Sequence, residues 1–214
     1  MKIVKNESGE AAGFIEYVPG EFAWRTVDAK GYMFIHCLQV SRNKTGFGYG
    51  RILLQECIED SKGTNGIVIV TSRKPWVNDK AFFLKHGFKV IQKAPPYFEM
   101  VVKQFKEAKL PSFIDKWEER AAKYGDGVTV IYSDQCPFID NAIQSIYEAG
   151  IECGVTVKFE KIESYEQAQN APSPYGTFHI IVNGKFITHR LFNKERYVAI
   201  IRDSLSYTGK CQFI

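Results

Sequence analysis

The sequence of 214 residues predicts a mixed α/β (α+β) protein with two domains. Four strand-like runs precede the first helix-like run, and a glycine-rich loop at residues 45–50 separates the two patterns. A second series of strands and helices begins near residue 128 and contains an Asn183-Gly184 hairpin turn. Successive strands joined by short turns favour a mostly antiparallel sheet, which the helices then flank.

The first half alternates strand and helix patterns. Residues 32–40 are nearly all apolar, as in a central strand that is covered on both faces. Apolar residues 49, 53, 54, 57 and 58 share one helical stripe. Asn78 and Asp79 can cap the next helix. In order, we predict strands at residues 1–6, 11–18, 22–27 and 32–40, a helix at 49–61, a strand at 67–71, a helix at 80–86, and strands at 88–91 and 97–102.

The second half repeats this alternation with a different order. Residues 107–127 form the predicted connector, with an amphipathic helix at 111–124 that ends at the glycines 125 and 127. After it we predict a strand at 128–132, a helix at 139–149, a parallel strand at 155–160, a helical turn at 165–169, hairpin strands at 178–182 and 185–187, and a helix at 194–205.

Composition narrows the class of protein. Hydrophobic residues make up 45% of the chain, which is enough for a core in each domain. The sequence has no apolar run of membrane-spanning length and a polar N-terminus, so we expect a cytoplasmic protein without a membrane partner. The cysteines are odd in number and lack metal-binding spacing, which argues against a metal and a disulfide framework. They are Cys37, Cys57, Cys136, Cys153 and Cys211.

The net charge of +4 is unevenly distributed. Residues 1–106 contain 16 Lys and Arg against 10 Asp and Glu, whereas the remainder contains 12 against 14. The basic half lacks the dense clusters of a nucleic-acid-binding face. We therefore expect a small polyanionic ligand there and no nucleic-acid partner.

The loop between the fourth strand and the first helix contains Gly46, Gly48 and Gly50. Such a loop can direct several backbone N–H groups toward a phosphate at a helix N-terminus. A Rossmann fingerprint would require a third glycine where this chain has Leu53. A Walker loop would end in Gly-Lys-Ser/Thr, but Gly50 is followed by Arg51.

Residues 1–105 resemble the GNAT superfamily of acyl-CoA-dependent N-acyltransferases. The first signature is a Leu-x-Val strand end, a glycine loop and a helix that opens with apolar residues. The second is an Asn-x-x-Ala pattern that leads to Gly-Phe. The matching residues are Leu38-Gln39-Val40, Thr45-Gly46-Phe47-Gly48-Tyr49-Gly50, Ile52-Leu53-Leu54 and the segment from Asn78-Asp79-Lys80-Ala81 to Gly87-Phe88.

The resemblance implies that residues 1–106 form an acetyltransferase domain that uses acetyl-CoA as cosubstrate. Loop amides would hold the pyrophosphate, and the strand at Leu38 would hold the pantetheine arm and polarise the thioester carbonyl. Arg42, Lys44 and Arg51 are candidate phosphate partners. The full set of predicted cofactor-binding residues is Leu38, Val40, Arg42, Lys44, Thr45, Gly46, Phe47, Gly48, Tyr49, Gly50, Arg51 and Asn78.

The chain departs from the family pattern at three places. Thr45 replaces the usual Arg or Gln, and Phe83 replaces a tyrosine that often serves as general acid. The strand and two helices that open the family fold have no counterpart before the strand predicted at residues 1–6.

The sequence does not fix the base that would deprotonate the acceptor. His36, Glu16 and Tyr97 are candidate catalytic residues, because each lies on a strand that could reach the cleft. A buried histidine with a purely structural role stays open as an alternative. The expected partner is a small-molecule or peptide amine, and a homodimer is possible.

Residues 128–214 resemble the thioredoxin fold, and a GNAT domain followed by such a domain resembles the YoaP-like acetyltransferases. Cys136-Pro137-Phe138-Ile139 stands where glutaredoxins carry Cys-Pro-Tyr/Phe-Cys. Cys136 is a thiol candidate because a helix N-terminus favours the thiolate. Ile139 replaces the second cysteine, so dithiol exchange within the motif is excluded.

Three functions are consistent with these sequence features. The first is an N-acetyltransferase that acts by direct attack of an amine on acetyl-CoA. The second is a non-catalytic acyl-CoA sensor with a partner-binding thioredoxin-like domain, which Phe83 and the missing opening segment favour. The third is an oxidoreductase with Cys136 as nucleophile, in which Cys153 would have to approach Cys136.

Overall fold

A computed structural model describes residues 1–72 and 78–206, and it divides the chain into two compact units. The first unit contains residues 1–23 and 27–114. The second contains residues 24–26 and 115–214, of which the structure describes those up to 206. Among the described residues, no helix is both long and apolar enough to cross a membrane.

The first unit is built on a six-stranded sheet with the order β1-β2-β4-β5-β7-β6. Its strands are β1 (Lys2–Lys5), β2 (Ala11–Pro19), β4 (Met33–Val40), β5 (Gly66–Ser72), β6 (Lys89–Ala94) and β7 (Phe98–Gln104); β3 (Val27–Asp28) and β8 (Ser112–Phe113) form a separate pair. Within the six-stranded sheet, β4 and β5 pair in parallel and the other neighbours pair antiparallel. The predicted mixed, mostly antiparallel sheet is therefore confirmed.

Two helices, α1 (Tyr49–Asp60) and α2 (Lys80–Lys85), pack on this sheet. The apolar stripe of α1, which includes Leu53 and Leu54, is buried with Ile35 and with Phe83 of α2 in one cluster. Asp79 caps α2, since its side chain accepts a hydrogen bond of 2.9 Å from the backbone of Ala81. The cap fixes the start of α2 next to the carboxyl end of β4.

The ladder between β4 and β5 is short. It pairs Met33 with Ile67 and ends where Ile35 pairs with Ile69, although β4 continues to Val40. The register of β4 against β2 also shifts by one residue, which leaves His36 as a bulge. The two strands thus diverge beyond Ile35 and expose part of the backbone edge of β4.

The strand predicted at residues 22–27 is wrong. The chain instead forms a 3₁₀ turn at Gly20–Phe22 and the two-residue strand β3. The N–H of Gly20 donates a hydrogen bond of 2.7 Å to the carbonyl of Tyr32, which closes a loop between β2 and β4. Because β4 pairs directly with β2, no place beside β2 is left for an intervening strand.

The connector helix predicted at residues 111–124 is much shorter, and α3 spans Trp117–Ala122. The residues before it form β8, which pairs with β3. Lys116 adopts a left-handed conformation with φ of 73°. This conformation interrupts a right-handed helix and explains why the predicted helix does not extend toward Pro111.

The second unit contains a four-stranded sheet with the order β10-β9-β11-β12. Its remaining elements are β9 (Val128–Tyr132), α4 (Ile139–Cys153), β10 (Val157–Lys161), α5 (Tyr165–Gln169), β11 (Phe178–Val182), β12 (Lys185–Thr188) and α6 (Lys194–Ser206). The strand β10 is parallel to β9, as predicted, and β11 is antiparallel to it. Ile146 of α4 and Ile201 of α6 cover one face of this sheet.

Two buried histidines are expected to make the second unit sensitive to acid. His179 and His189 are at most 1% exposed, and burial lowers the pKa of each from 6.5 to about 3. Both are neutral in the folded chain near pH 5, whereas they bind protons in the unfolded chain. The free energy of unfolding should therefore fall as the pH falls from about 6.5 toward 3.

We expect the free energy of unfolding of the second unit, measured with urea, to fall by on the order of 2 to 4 kcal/mol from pH 7 to pH 5. Each proton that only the unfolded chain binds lowers this free energy by about 1.4 kcal/mol per pH unit. Amide hydrogen exchange in β9 and β11 would report the stability of this unit separately from that of the first unit. The variant His189→Asn should show a smaller loss. His86→Gln, which alters a half-buried histidine of the first unit, is the matched control. A stability independent of pH across this range would contradict the prediction.

Candidate functional site

A cavity of about 370 Å³ lies in the first unit, where β4, the glycine loop, α1 and α2 meet. Ten of the twelve predicted cofactor-binding residues form its wall: Leu38, Val40, Lys44, Thr45, Gly46, Gly48, Tyr49, Gly50, Arg51 and Asn78. Arg42 lies in the 3₁₀ turn before the loop, and Phe47 is 72% exposed at its tip. These two are not part of the wall.

Glycine is needed at positions in this loop for two different structural reasons. Gly46 and Gly48 adopt φ values of 88° and 82°, and a Cβ on either would meet no atom within 4 Å. Their backbone therefore faces open space and can approach a ligand closely. A Cβ on Gly50 would lie 3.2 Å from the ring of Phe82, so Gly50 allows α1 to pack against α2.

The N-terminus of α1 is suited to an anion. Its first intrahelical hydrogen bond runs from Ile52 N–H to the carbonyl of Gly48 at 3.1 Å, so the N–H groups of Tyr49, Gly50 and Arg51 precede the ladder. The first turn contains no acidic residue. The helix dipole and these N–H groups together favour a phosphate at this end of the cavity.

Lys44 provides a cation at the wall of the cavity, with a side chain that is 17% exposed. Its ammonium lies 2.7 Å from a carboxylate oxygen of Glu10. This contact, followed by a hydrogen bond from Asn6, lowers the pKa of Glu10 below its ordinary value. A phosphate that binds Lys44 must therefore compete with Glu10.

The exposed edge of β4 is occupied by the side chain of Asn78. The Oδ1 atom accepts a hydrogen bond of 2.9 Å from Leu38 N–H, and Nδ2 donates one of 3.3 Å to the carbonyl of His36. Leu38 N–H, the group predicted to face the thioester carbonyl, is thus engaged by Asn78 in this structure.

The structure brings two of the three catalytic candidates together. The Nδ1 atom of His36 lies 3.3 Å from Oε1 of Glu16, with side-chain exposures of 1% and 30%. Tyr97 follows β6, and its ring packs against that of Phe98. Phe98 pairs with Ser72 at the carboxyl end of β5, which is also the end where β4 and β5 diverge.

Three residues of the cavity wall, Asp79, Phe82 and Phe83, were not among the predicted cofactor-binding residues. Phe82 lies in the first turn of α2, three residues after the Asp79 cap, and this place next to the predicted cap is the signal that could have identified it. Phe83 also lines the cavity, but it is 1% exposed and packs edge-on against Phe88. That position is therefore part of the core of the unit.

Cys136 and Cys153 lie at opposite ends of one helix. Cys136 precedes α4 and is half-buried, whereas Cys153 ends α4 and contacts the carbonyl of Val198. A helix of this length separates them by about 20 Å, so Cys153 cannot act as a resolving thiol in this fold. Cys211 lies outside the described residues, among which no group of three or more His, Cys, Asp or Glu could hold a metal.

Two protein families match different parts of the chain. Residues 2–88 match the acetyltransferase (GNAT) family, and residues 157–197 match the YoaP-like family. The chain is 32% identical over 194 residues to a Bacillus subtilis (strain 168) protein described as the uncharacterized N-acetyltransferase YoaP. This alignment covers 88% of the chain and 76% of that protein.

Several solved structures are similar to the chain. One is PH1933 from Pyrococcus horikoshii OT3, with 22% identity and a TM-score of 0.41. The match covers 49% of this chain and 64% of that one. An acetyltransferase from Thermus thermophilus has 20% identity, a TM-score of 0.39 and coverage of 46% and 59%. The PaiA N-acetyltransferase from Thermoplasma acidophilum, in complex with coenzyme A, has 22% identity, a TM-score of 0.37 and coverage of 47% and 57%. The chain thus spans less than two thirds of each of these structures.

The alignment with YoaP extends over most of both chains and overlaps both segments that match a family. The chain is an acetyltransferase that belongs to the GNAT family and, within it, to the YoaP-like proteins.

Proposed function

We propose that this chain transfers an acetyl group from acetyl-CoA to a primary amine of a small molecule or peptide. The observation that carries the proposal is the cavity that joins the anion-binding start of α1 to the divergent edge of β4. The first end suits the pyrophosphate of coenzyme A, and the second suits its pantetheine arm.

In the proposed reaction, the acceptor nitrogen attacks the thioester carbonyl and forms a tetrahedral intermediate. Leu38 N–H is the proposed donor to the oxyanion, and the Glu16 and His36 pair is the proposed acceptor of the amine proton. The C–S bond then breaks and coenzyme A leaves as a thiolate. Phe83 cannot donate a proton, so the thiolate takes its proton from solvent.

Calorimetric titration of acetyl-CoA and free coenzyme A into the full chain, with thiol release followed across an amine library, tests this proposal. Binding together with turnover on an amine is the expected result. Binding without turnover on any amine would favour the acyl-CoA sensor, and absence of binding would refute the assignment of the glycine loop.

We further propose that residues 128–214 form a thioredoxin-like domain, joined by residues 107–127 to the acetyltransferase domain at residues 1–106. The strand order β10-β9-β11-β12, with a parallel first pair and an antiparallel second pair, supports the proposal. We also propose that the protein is cytoplasmic and forms a homodimer.

Acetyl transfer should not require the thiol of Cys136. We expect Cys136→Ser, or alkylation of Cys136, to leave the rate of acetyl transfer within about twofold of the wild type, because direct attack forms no enzyme thioester. Alkylation of Cys136→Ser is the control for reaction at other thiols. Complete loss of activity in Cys136→Ser would instead support a function based on Cys136 as nucleophile.

A further inference from the structure

The side chain of Asn78 replaces a missing strand residue. In a parallel ladder, one residue accepts a hydrogen bond from one strand neighbour and donates to another two positions earlier. Asn78 makes this pair of bonds with Leu38 N–H and the carbonyl of His36, which flank Cys37. It does so immediately beyond the point where the ladder between β4 and β5 ends.

We propose that Asn78 occupies the edge of β4 in the free enzyme and must release it to the pantetheine arm of acyl-CoA. This inference rests on the proposed function, because it requires that the arm binds along β4. Asn78 would then be a positioning residue that covers the oxyanion donor Leu38 N–H until the thioester arrives.

The chemistry of the two occupants is the same. The pantetheine arm contains two amides and ends in a thioester carbonyl, so it offers the donors and acceptors that the Asn78 carboxamide offers. A single backbone N–H makes one well-directed hydrogen bond. The thioester carbonyl and Oδ1 of Asn78 therefore cannot both hold Leu38 N–H at full strength.

The position of Asn78 in the chain allows the exchange. Asn78 lines the cavity but precedes α2, whose first turn is fixed by the Asp79 cap. Rotation of the Asn78 side chain consequently does not require α2 to unwind. The cavity that receives the arm is also the space into which the carboxamide can turn.

The variant Asn78→Ala separates competition from ordinary ligand contact. Removal of a competitor should tighten acetyl-coenzyme A binding by about three- to tenfold, since two neutral hydrogen bonds no longer have to be exchanged. Adenosine 3′,5′-bisphosphate lacks the arm, so its affinity should not change. Asn141→Ala, an exposed substitution on α4, is the control variant for both ligands.

A measurement on the unmutated chain keeps the inference testable if Asn78→Ala fails to fold. In the ¹⁵N spectrum, acetyl-coenzyme A should shift the side-chain amide signals of Asn78, and adenosine 3′,5′-bisphosphate should leave them in place. Unchanged Asn78 signals with bound acetyl-coenzyme A would overturn the inference.

Weaker acetyl-coenzyme A binding by Asn78→Ala, with unchanged bisphosphate binding, would also overturn it, because Asn78 would then hold the bound arm. If the wild type bound neither ligand, the proposed function would fail and the inference would fail with it.

Discussion

Replacement of Gly48 by valine is expected to weaken coenzyme A binding by at least about thirtyfold. Gly48 caps α1 at φ of 82°, and its Cβ position points into open space at the cavity. A valine there would take up the space that a phosphate needs next to the first N–H groups of α1. Hydrogen bonds to a charged group are worth about 1.5 to 3 kcal/mol each, so loss of one or two accounts for this factor.

The same substitution also strains the backbone, and this effect must be separated from the loss of binding. Gly9 offers the matched control, because its φ is also 82° and a Cβ there would also meet no atom within 4 Å. Gly9 lies in the turn between β1 and β2, outside the cavity wall. Both variants should lose a similar stability of roughly 1 to 2 kcal/mol.

Calorimetric titration with coenzyme A, together with urea unfolding of both variants, distinguishes the two effects. Only Gly48→Val should lose affinity. Equal coenzyme A affinity in the wild type and in Gly48→Val would show that the phosphates bind elsewhere.

The sequence predicts most residues of the cavity wall because the loop depends on local backbone rules. Gly46 and Gly48 require positive φ, and Asp79 requires a helix to cap. These constraints act within a few residues, so spacing alone reveals them. The contact between Asn78 and β4 joins residues 40 positions apart, and no local rule predicts it.

The two errors in secondary structure have the same origin. The alternation of residues 22–27 fits a strand, but the hydrogen bond between Gly20 and Tyr32 assigns the place beside β2 to β4. The apolar spacing of residues 111–124 fits a helix, but the start of this segment forms β8, which pairs with β3. In both cases pairing with distant residues overrides local propensity.

Substitution of Glu16 by glutamine is expected to lower kcat by about a hundredfold, which is the lower range for loss of a general base. Glu16 is the more exposed member of the pair with His36, at 30% against 1% for the side chains, and so is the member that solvent and an acceptor can reach. Coenzyme A affinity should not change, because Glu16 is not part of the cavity wall. The control is Glu7→Gln, an exposed carboxylate in the turn after β1.

The variant His36→Gln and the double variant decide whether the two side chains act together. If His36 orients Glu16 or relays its proton, each single variant should lose most of the rate and the double variant little more. Additive losses would mean that His36 acts only by supporting the bulge of β4, where it packs against Phe34. A Glu16→Gln variant with at least half of the wild-type kcat would exclude Glu16 as the base and leave His36 and Tyr97 as the remaining candidates. Measured at saturating acetyl-CoA, kcat isolates this effect from cofactor binding, because the proton leaves the acceptor only after both substrates are in place.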